Sequence, residues 1–318
     1  PRAKPTRSAA PSASTLAAFA DVLRKHGLTV NPPHGESLSD TCGTGSDTMS
    51  TFNVSTTIMP ILAAAGMKIA KHGNRAVTSP CGSADVLEAL GVRIDLEPEG
   101  VETCLREVGI GFMYAPVFHR ALRNLGKIRD TLAREMPDNI KGRTVFNVLG
   151  PLANPARAQC QIIGVYSPTL LTKFAEALRL LNVRRAFVAY GLCDGLNVGL
   201  DEFSTAGPTR VAELHDGIIR TWEVTPEEAG LPRTIDPAAF SGGNKTRNAA
   251  IFLDLLAGHE KGARLDLTLM NAGAGLFLGD KAASIAEGVE LARELICSGA
   301  ALAKFEAFRV RTRTIEQH

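Results

Sequence analysis

Residues 160–190 read Cys-Gln-Ile-Ile-Gly-Val-Tyr, then Ser-Pro-Thr-Leu-Leu-Thr-Lys-Phe-Ala-Glu-Ala-Leu-Arg-Leu-Leu-Asn-Val-Arg-Arg, then Ala-Phe-Val-Ala-Tyr. The outer runs, Cys160–Tyr166 and Ala186–Tyr190, are short and continuously apolar, the pattern of strands covered on both faces. The middle carries a helix over Thr169–Leu181. Strand, helix and strand at this spacing form a βαβ unit, whose two strands are parallel.

The same reading extends outward. Ile110–Tyr114, between Gly109 and Pro116, is another compact buried strand. Met67–Ala70 is a short strand, and Val92–Leu96 alternates like a strand edge. Arg210–Leu214 and Ile218–Val224 flank Asp216-Gly217, a hairpin turn signal. Helices are expected at Thr15–His26 with a stop at Gly27, and at Thr57–Ala65, Asp85–Leu90, Phe118–Leu132, Asn248–Ala257 and Ala282–Ser298. Pro32, Pro33, Gly35 and Ser37 mark a link between lobes. Pro1–Ala13 has no apolar period and reads as disordered. The fold expected is α/β: a mostly parallel sheet with flanking helices, plus a small helical lobe.

The chain has 318 residues, enough for two lobes. Its net charge of +2 makes no general case for nucleic acid or a membrane, so any anion site must be local. No apolar run is long enough to span a bilayer. The cysteines at 42, 81, 104, 160, 193 and 297 form no CxxC pair and no zinc spacing, and read as reduced thiols of a cytoplasmic protein.

Residues 43–56, Gly-Thr-Gly-Ser-Asp-Thr-Met-Ser-Thr-Phe-Asn-Val-Ser-Thr, form a glycine loop ahead of an apolar helix. Gly43 and Gly45 let backbone N–H groups turn onto a phosphate, and the helix N-terminus adds a favourable dipole. Lys71-His72-Gly73-Asn74-Arg75 follows, with positive charge at Lys71 and Arg75. The chemistry suggested is capture of a sugar phosphate or pyrophosphate. Asp201-Glu202, after the strand Ala186–Tyr190, falls at the C-terminal edge of the sheet, where open α/β folds bind ligands. Two carboxylates with the Ser55 hydroxyl suit Mg²⁺, which takes hard oxygen ligands and bridges substrate phosphates. Ser83 reads as a helix N-cap that can also face an anion.

Taken with Gly82–Gly91 (GSADVLEALG), Gly111–Pro116, His119, Arg143–Pro155 (RTVFNVLGPLANP) and Gly199–Ser204 (GLDEFS), these segments resemble the anthranilate phosphoribosyltransferase family, of the nucleoside phosphorylase/phosphoribosyltransferase class. The resemblance runs from about Ser14 to about Leu302. It implies a discontinuous all-helical domain of residues 1–37 and 117–153, and an α/β domain of residues 38–116 and 154–318. The family has further helices before the glycine loop, so the chain is expected to begin inside that group through truncation or trimming.

The resemblance implies transfer of the phosphoribosyl group from phosphoribosyl pyrophosphate to the amine of anthranilate, with release of pyrophosphate, in tryptophan biosynthesis. It assigns the donor to Gly43, Gly45, Ser46, Asp47, Thr51, Asn53, Ser55, Thr56, Lys71, Asn74 and Ser83, with Lys71 stabilising the leaving group. It assigns anthranilate to Gly43, Asn74, Pro116, His119, Arg129 and Gly150, and metal to Ser55, Asp201 and Glu202, with two Mg²⁺ ions per subunit. A cytoplasmic homodimer without nucleic-acid or membrane partners is implied as well. The chain departs from the family at Ser46 and Thr48, where glycines are usual, at Pro80, where a basic residue is usual, and in a longer segment 130–142. Three alternatives stay open: another aromatic acid as acceptor, a pyrimidine nucleoside phosphorylase, and a non-catalytic nucleic-acid-binding relative.

Guanidinium pairs with carboxylate in a two-pronged geometry. Arg129→Ala is therefore expected to raise KM for anthranilate ten- to a hundredfold, for a loss of about 1.5–3 kcal/mol, and KM for the donor far less. Arg123→Ala, at a solvated arginine, should change neither. Equal behaviour of the two variants in steady-state kinetics would remove Arg129 from the acceptor pocket.

Overall fold

The computed structural model describes residues 11–31, 36–45, 49–76, 80–120, 148–196 and 198–316. Strand β1 (Leu38–Gly43) lies inside a single sheet. On one side of it come β2 (Lys68–Gly73) and β3 (Ile110–Tyr114), on the other β4 (Cys160–Gly164) and β5 (Arg185–Leu192), all parallel. The hairpin β7 (Thr209–His215) and β8 (Ile218–Val224) continues the sheet antiparallel to β5, giving the order β3-β2-β1-β4-β5-β7-β8. A two-residue strand, β6 (Gly199–Leu200), pairs antiparallel with the end of β5. The hairpin turns at Asp216 and Gly217, with φ of 46° and 84°, the left-handed pair that matches strand twist.

The βαβ reading of residues 160–190 is met: β4 and β5 are parallel and α6 (Leu171–Leu180) crosses between them behind a 3₁₀ turn at Pro168–Leu170. The helices ahead of it are α1 (Ala13–His26), α2 (Val54–Ala64), α3 (Ser83–Ala89), α4 (Pro98–Glu107) and α5 (Ala115–Phe118). Those after it are α7 (Lys245–Leu256), α8 (Ala263–Leu278), α9 (Ile285–Cys297) and α10 (Ala300–Thr314). No helix among the described residues is long and apolar enough to cross a membrane.

Each face of the sheet carries its own core. One gathers Ile58, Leu62, Ile69, Leu269, Leu276, Val289 and Phe305 from α2, β2, α8, α9 and α10. The other gathers Leu16, Ala20, Leu152, Phe174, Leu178 and Val188, so α1 shares a core with α6 and β5. Helix α2 is apolar almost all round, with Val54 and Thr56 to Ala63 buried, as a helix enclosed by others on a sheet must be.

Several expectations are corrected. Ala13 opens α1, and the Ser12 hydroxyl accepts the Thr15 N–H at 3.1 Å, so order begins before residue 14. Val92–Leu96 buries alternate side chains but joins no ladder, because its amides bond elsewhere: Val92 N–H to the Leu87 carbonyl and Arg93 N–H to Thr312 Oγ1. Phe118 ends a short helix and does not begin a long one; residues 121–147, which hold the rest of Phe118–Leu132 and the segment 130–142, lie outside the described residues. Helices α4, α8 and α10 have no counterpart in the sequence reading. Helix α8 lacks a polar face, and its Gly273 and Gly275 let Val289 and Leu62 approach where a Cβ would stand 2.8 Å from each. The proposed small helical domain, residues 1–37 and 117–153, has its segments 1–10, 32–35 and 121–147 outside the described residues.

Phe174, fully buried under α1, is expected to cost about 3–5 kcal/mol when cut to alanine, against less than about 0.5 kcal/mol for Ile235→Ala at a residue 96% exposed. Denaturant unfolding of the two variants checks this.

Candidate active site

The strand order reverses direction between β1 and β4. Chain progress runs outward from β1 to β2 and β3 on one side and through β4 and β5 on the other. Ligands of open α/β sheets bind at the carboxyl ends of strands flanking such a point. Here those ends are Gly43 and Gly164, register partners. Above them sits Asp201, delivered by β6. A Cβ on Gly43 would lie 2.7 Å from Asp201 Oδ2, and one on Gly164 would overlap the Asp201 carbonyl. The glycines are needed for this close approach.

The donor loop hangs from this contact. Gly45, at φ 64°, gives its N–H to Asp201 Oδ2 at 2.7 Å, and Thr44 N–H bonds the Gly164 carbonyl at 3.0 Å. Ser46, Asp47 and Thr48 lie outside the described residues. The loop resumes with a bridge from Thr51 to Ser241 and a hydrogen bond from Phe52 N–H to the Phe240 carbonyl. Asn53 caps the start of α2 by position, but its side chain turns away from the helix. Its Nδ2 donates to the Cys81 carbonyl at 3.2 Å, and its Oδ1 accepts from Asn248 of α7 at 3.0 Å. Ser55 and Thr56 fill the first turn, where Val54 N–H bonds the Phe52 carbonyl at 2.8 Å and Thr56 N–H the Asn53 carbonyl at 3.1 Å. Thr56 Oγ1 is buried and has no partner among the described residues.

Lys71 stands inside β2, not at its end, and is 1% exposed. Its ammonium donates to the Thr41 carbonyl and, at 3.2 Å, to Ser55 Oγ. Burial pulls its pKa down, opposed by the nearby carboxylates of Asp40 and Glu202. Asp40, 1% exposed, accepts from Asn154 Nδ2 at 2.7 Å and from the His72 N–H at 3.3 Å; burial raises its pKa, and Lys71 opposes that. Lys71 therefore reaches the site through Ser55. Arg75 supplies no free charge: its guanidinium forks onto Glu88 at 2.8 Å and its Nε bonds Tyr114 Oη at 3.0 Å.

Asn74 is exposed at the end of β2, with Oδ1 on the Arg75 N–H and its carbonyl on Ala84 N–H and Ser83 Oγ. Ser83 is the first residue of α3 and not its cap. Gly82 takes the cap position, and the Asp85 carboxylate accepts the N–H groups of Gly82 and Ala76 at 2.9 Å each. Residues 77–79 lie outside the described residues.

On the opposite face of the sheet, His72, His119 and Gly150 come together. The imidazoles meet edge-on with centroids 5.0 Å apart. His72 Nδ1 lies 3.1 Å from the Gly150 carbonyl, which can only accept, so Nδ1 carries the proton and Nε2 the lone pair. His119 is buried and bonded through Nε2 to the Ala153 carbonyl at 3.0 Å. Pro116 sits in α5 just before it, and among the described residues none lies within 4 Å of where a Cβ on Gly150 would stand. Arg129 lies outside the described residues. The sequence reading passed over Asp40, Asn154, Asn248 and Asn271, whose partners are distant in the chain.

Asp201 and Glu202 are 6% and 7% exposed, side by side at the mouth of the switch point. Among the described residues no three His, Cys, Asp or Glu side chains cluster as a metal cage. A site of two carboxylates and a nearby hydroxyl fits Mg²⁺, which keeps waters and takes substrate oxygens to complete its shell.

Comparison with known proteins agrees with this architecture. Residues 35–302 match the family described as the glycosyl transferase family, a/b domain. The anthranilate phosphoribosyltransferase of Desulfosudis oleivorans is 45% identical over 291 residues, covering 92% of this chain and 81% of that protein. The crystal structure of the Thermus thermophilus anthranilate phosphoribosyltransferase superposes with a TM-score of 0.85 at 40% identity, covering 96% of this chain and 86% of that one. The Saccharomyces cerevisiae enzyme in complex with PRPP and Mg superposes at 0.83 and 31% identity, over 96% and 81% of the two chains. The same yeast enzyme is also known in complex with 4-fluoroanthranilate, at 0.81 and 30% identity over 96% and 81%. This chain belongs to the anthranilate phosphoribosyltransferase family.

Burial drives the His72 pKa down to about 3. Between about 6.5 and 3 the unfolded chain then binds a proton that the folded chain refuses. Stability is full above 6.5 and falls as the pH drops, by at most about 1.4 kcal/mol per unit from this residue. Wild type is expected to lose more melting temperature than His72→Gln between pH 7.5 and 5.5; equal losses would show that His72 is not held neutral.

Proposed function

We propose that this chain transfers the phosphoribosyl group of phosphoribosyl pyrophosphate to the amine of anthranilate and releases pyrophosphate. The observation that carries the reading is the seating of the Asp201 carboxylate on the Gly45 N–H, at the switch point and above the Ser55–Lys71 pair. Gly43–Gly45, the acidic turn and the first turn of α2 then border one crevice at the carboxyl ends of β1 and β4.

Anthranilate's amine is neutral near pH 7 and attacks without prior deprotonation. The demanding step is departure of pyrophosphate, which gathers negative charge while the sugar becomes cationic. Donors fixed in advance at that charge lower the barrier most. The N-terminal turn of α2 brings the Ser55 hydroxyl to the crevice, and the helix dipole favours an anion there. Lys71 holds the Ser55 hydroxyl in place, and its charge acts at short range in poorly hydrated surroundings. Asp201, Glu202 and Ser55 would hold Mg²⁺, which when bound neutralises the pyrophosphate oxygens. His72, His119, Pro116 and Gly150 wall the side assigned to the acceptor. The imidazole pair, kept neutral by burial, adds no charge there to compete for the acceptor's carboxylate.

The family resemblance supports further parts of the reading: two Mg²⁺ ions per subunit, a homodimer, a cytoplasmic location and a place in tryptophan biosynthesis. The experiment is consumption of anthranilate fluorescence with phosphoribosyl pyrophosphate and Mg²⁺. Wild type should turn over; a protein that binds the donor but leaves anthranilate untouched would overturn the acceptor. Asp201→Asn with Glu202→Gln is expected to abolish most turnover and most Mg²⁺ dependence while melting remains cooperative. Unchanged turnover at limiting Mg²⁺ would sink the metal role of the pair.

A further inference from the structure

Helix α8 runs through the core with Leu267 to Leu276 buried throughout. Asn271 lies in the middle of it, fully buried. A buried amide in an apolar helix is costly unless its hydrogen bonds are made. Asn271 makes three. Its Oδ1 accepts the Phe203 N–H at 2.9 Å, and its Nδ2 donates to the Phe203 carbonyl and to the Leu267 carbonyl, each at 2.8 Å. One side chain thus takes both main-chain groups of a single residue, as a neighbouring strand would.

That residue directly follows Glu202. The acidic turn has no regular structure of its own, and its two ends are anchored differently. On the entering side, β6 pairs with β5, Leu200 opposite Gly191. On the leaving side no strand continues, and Asn271 takes the place of a partner. Phe203 is further fixed by its ring, 6.1 Å from that of Phe187, and Ser204 by bonds from its Oγ to the Leu192 carbonyl at 2.7 Å and from its N–H to Thr209 Oγ1 at 2.8 Å.

We propose that Asn271 is a positioning residue for the reaction: by clamping the main chain of Phe203 it sets the direction in which Asp201 and Glu202 present their carboxylates to the Mg²⁺-bound donor. The inference rests on the metal and donor reading of the site. Asn271 lies in the core of α8, and His72, Pro116, His119 and Gly150, which wall the acceptor side, come from β2, α5 and the turns after it, away from α8. Loosening the clamp should therefore weaken Mg²⁺-dependent donor binding and spare the acceptor side. A residue needed only for the fold would lower the melting temperature and leave the Mg²⁺ requirement of the folded fraction unchanged.

The test is calorimetric titration of phosphoribosyl pyrophosphate at limiting and saturating Mg²⁺, on wild type, Asn271→Ser and Ser204→Ala, with anthranilate KM measured alongside. Serine leaves room for a water to serve Phe203, which favours folding; Ser204→Ala loosens the next residue without touching α8. The Mg²⁺ concentration for half-maximal donor binding is expected to rise about tenfold in Asn271→Ser and less in Ser204→Ala, as for other groups that orient metal ligands. Anthranilate KM should stay within about twofold in both. An unchanged Mg²⁺ requirement in folded Asn271→Ser overturns the proposal. If that variant does not fold, an unchanged requirement in Ser204→Ala overturns it. Donor titration needs no acceptor, so a wild type that binds donor with Mg²⁺ but leaves anthranilate unconsumed contradicts the functional reading and leaves the clamp comparison intact.

Discussion

The contact between the Asp201 main chain and Gly164, with the Asp201 carboxylate over Gly43, is the constraint from which the rest of the site follows. Two parallel strands end level with one another, and a third segment crosses their tips at a distance only glycine permits. The crossing brings an acid to the donor loop and gives the loop a fixed end through the Gly45 N–H. Removing the close approach would lift the carboxylates off the sheet edge and release the loop with them. Further along, residues 50–52 are tied to residues 240–242.

Polar groups hold this frame from beneath. Asn154 satisfies Asp40 and the Ala70 carbonyl, Asn248 joins α7 to Asn53, and Asn271 joins α8 to Phe203. Each amide supplies a donor and an acceptor without charge, so it can bridge buried backbone groups at little desolvation cost once its bonds are made. Lys71 and Asp40 are different. Both are ionisable groups buried within the sheet, each opposing the other's loss of charge, and Lys71 brings its amine to Ser55 without exposing it to water. The two faces of the sheet divide the work: Lys71 and Ser55 lie on the α2 face, His72 and His119 on the face shared with α1 and Gly150.

Much of this was legible in local patterns. The strands β3, β4 and β5 were visible as apolar runs between turn signals, and Asp216-Gly217 announced its hairpin. The glycine loop and the acidic pair were recognisable because their residue types have a chemistry whatever surrounds them. Misreadings arose where one local pattern serves two structures. Val92–Leu96 alternates because alternate side chains are buried, yet its amides are spent on a helix and a threonine. Helix α8 shows no polar face because every side of it is packed. Lys71 looked like an anion-binding charge, and Arg75 a second, until partners claimed them.

Residue order alone was enough for backbone conformation and chemical inventory, since apolar period, glycine torsion and helix capping act over a few neighbouring positions. The pairings that make a site were settled by folding. Gly45 meets Asp201 across 156 residues, Asn53 meets Asn248 across 195, and Phe203 meets Asn271 across 68. A hydrogen bond fails beyond a few tenths of an ångström or a few tens of degrees from its optimum. Such partners have no signature in either segment, and they exist only once the sheet has brought the strand ends level and the helices have closed over it.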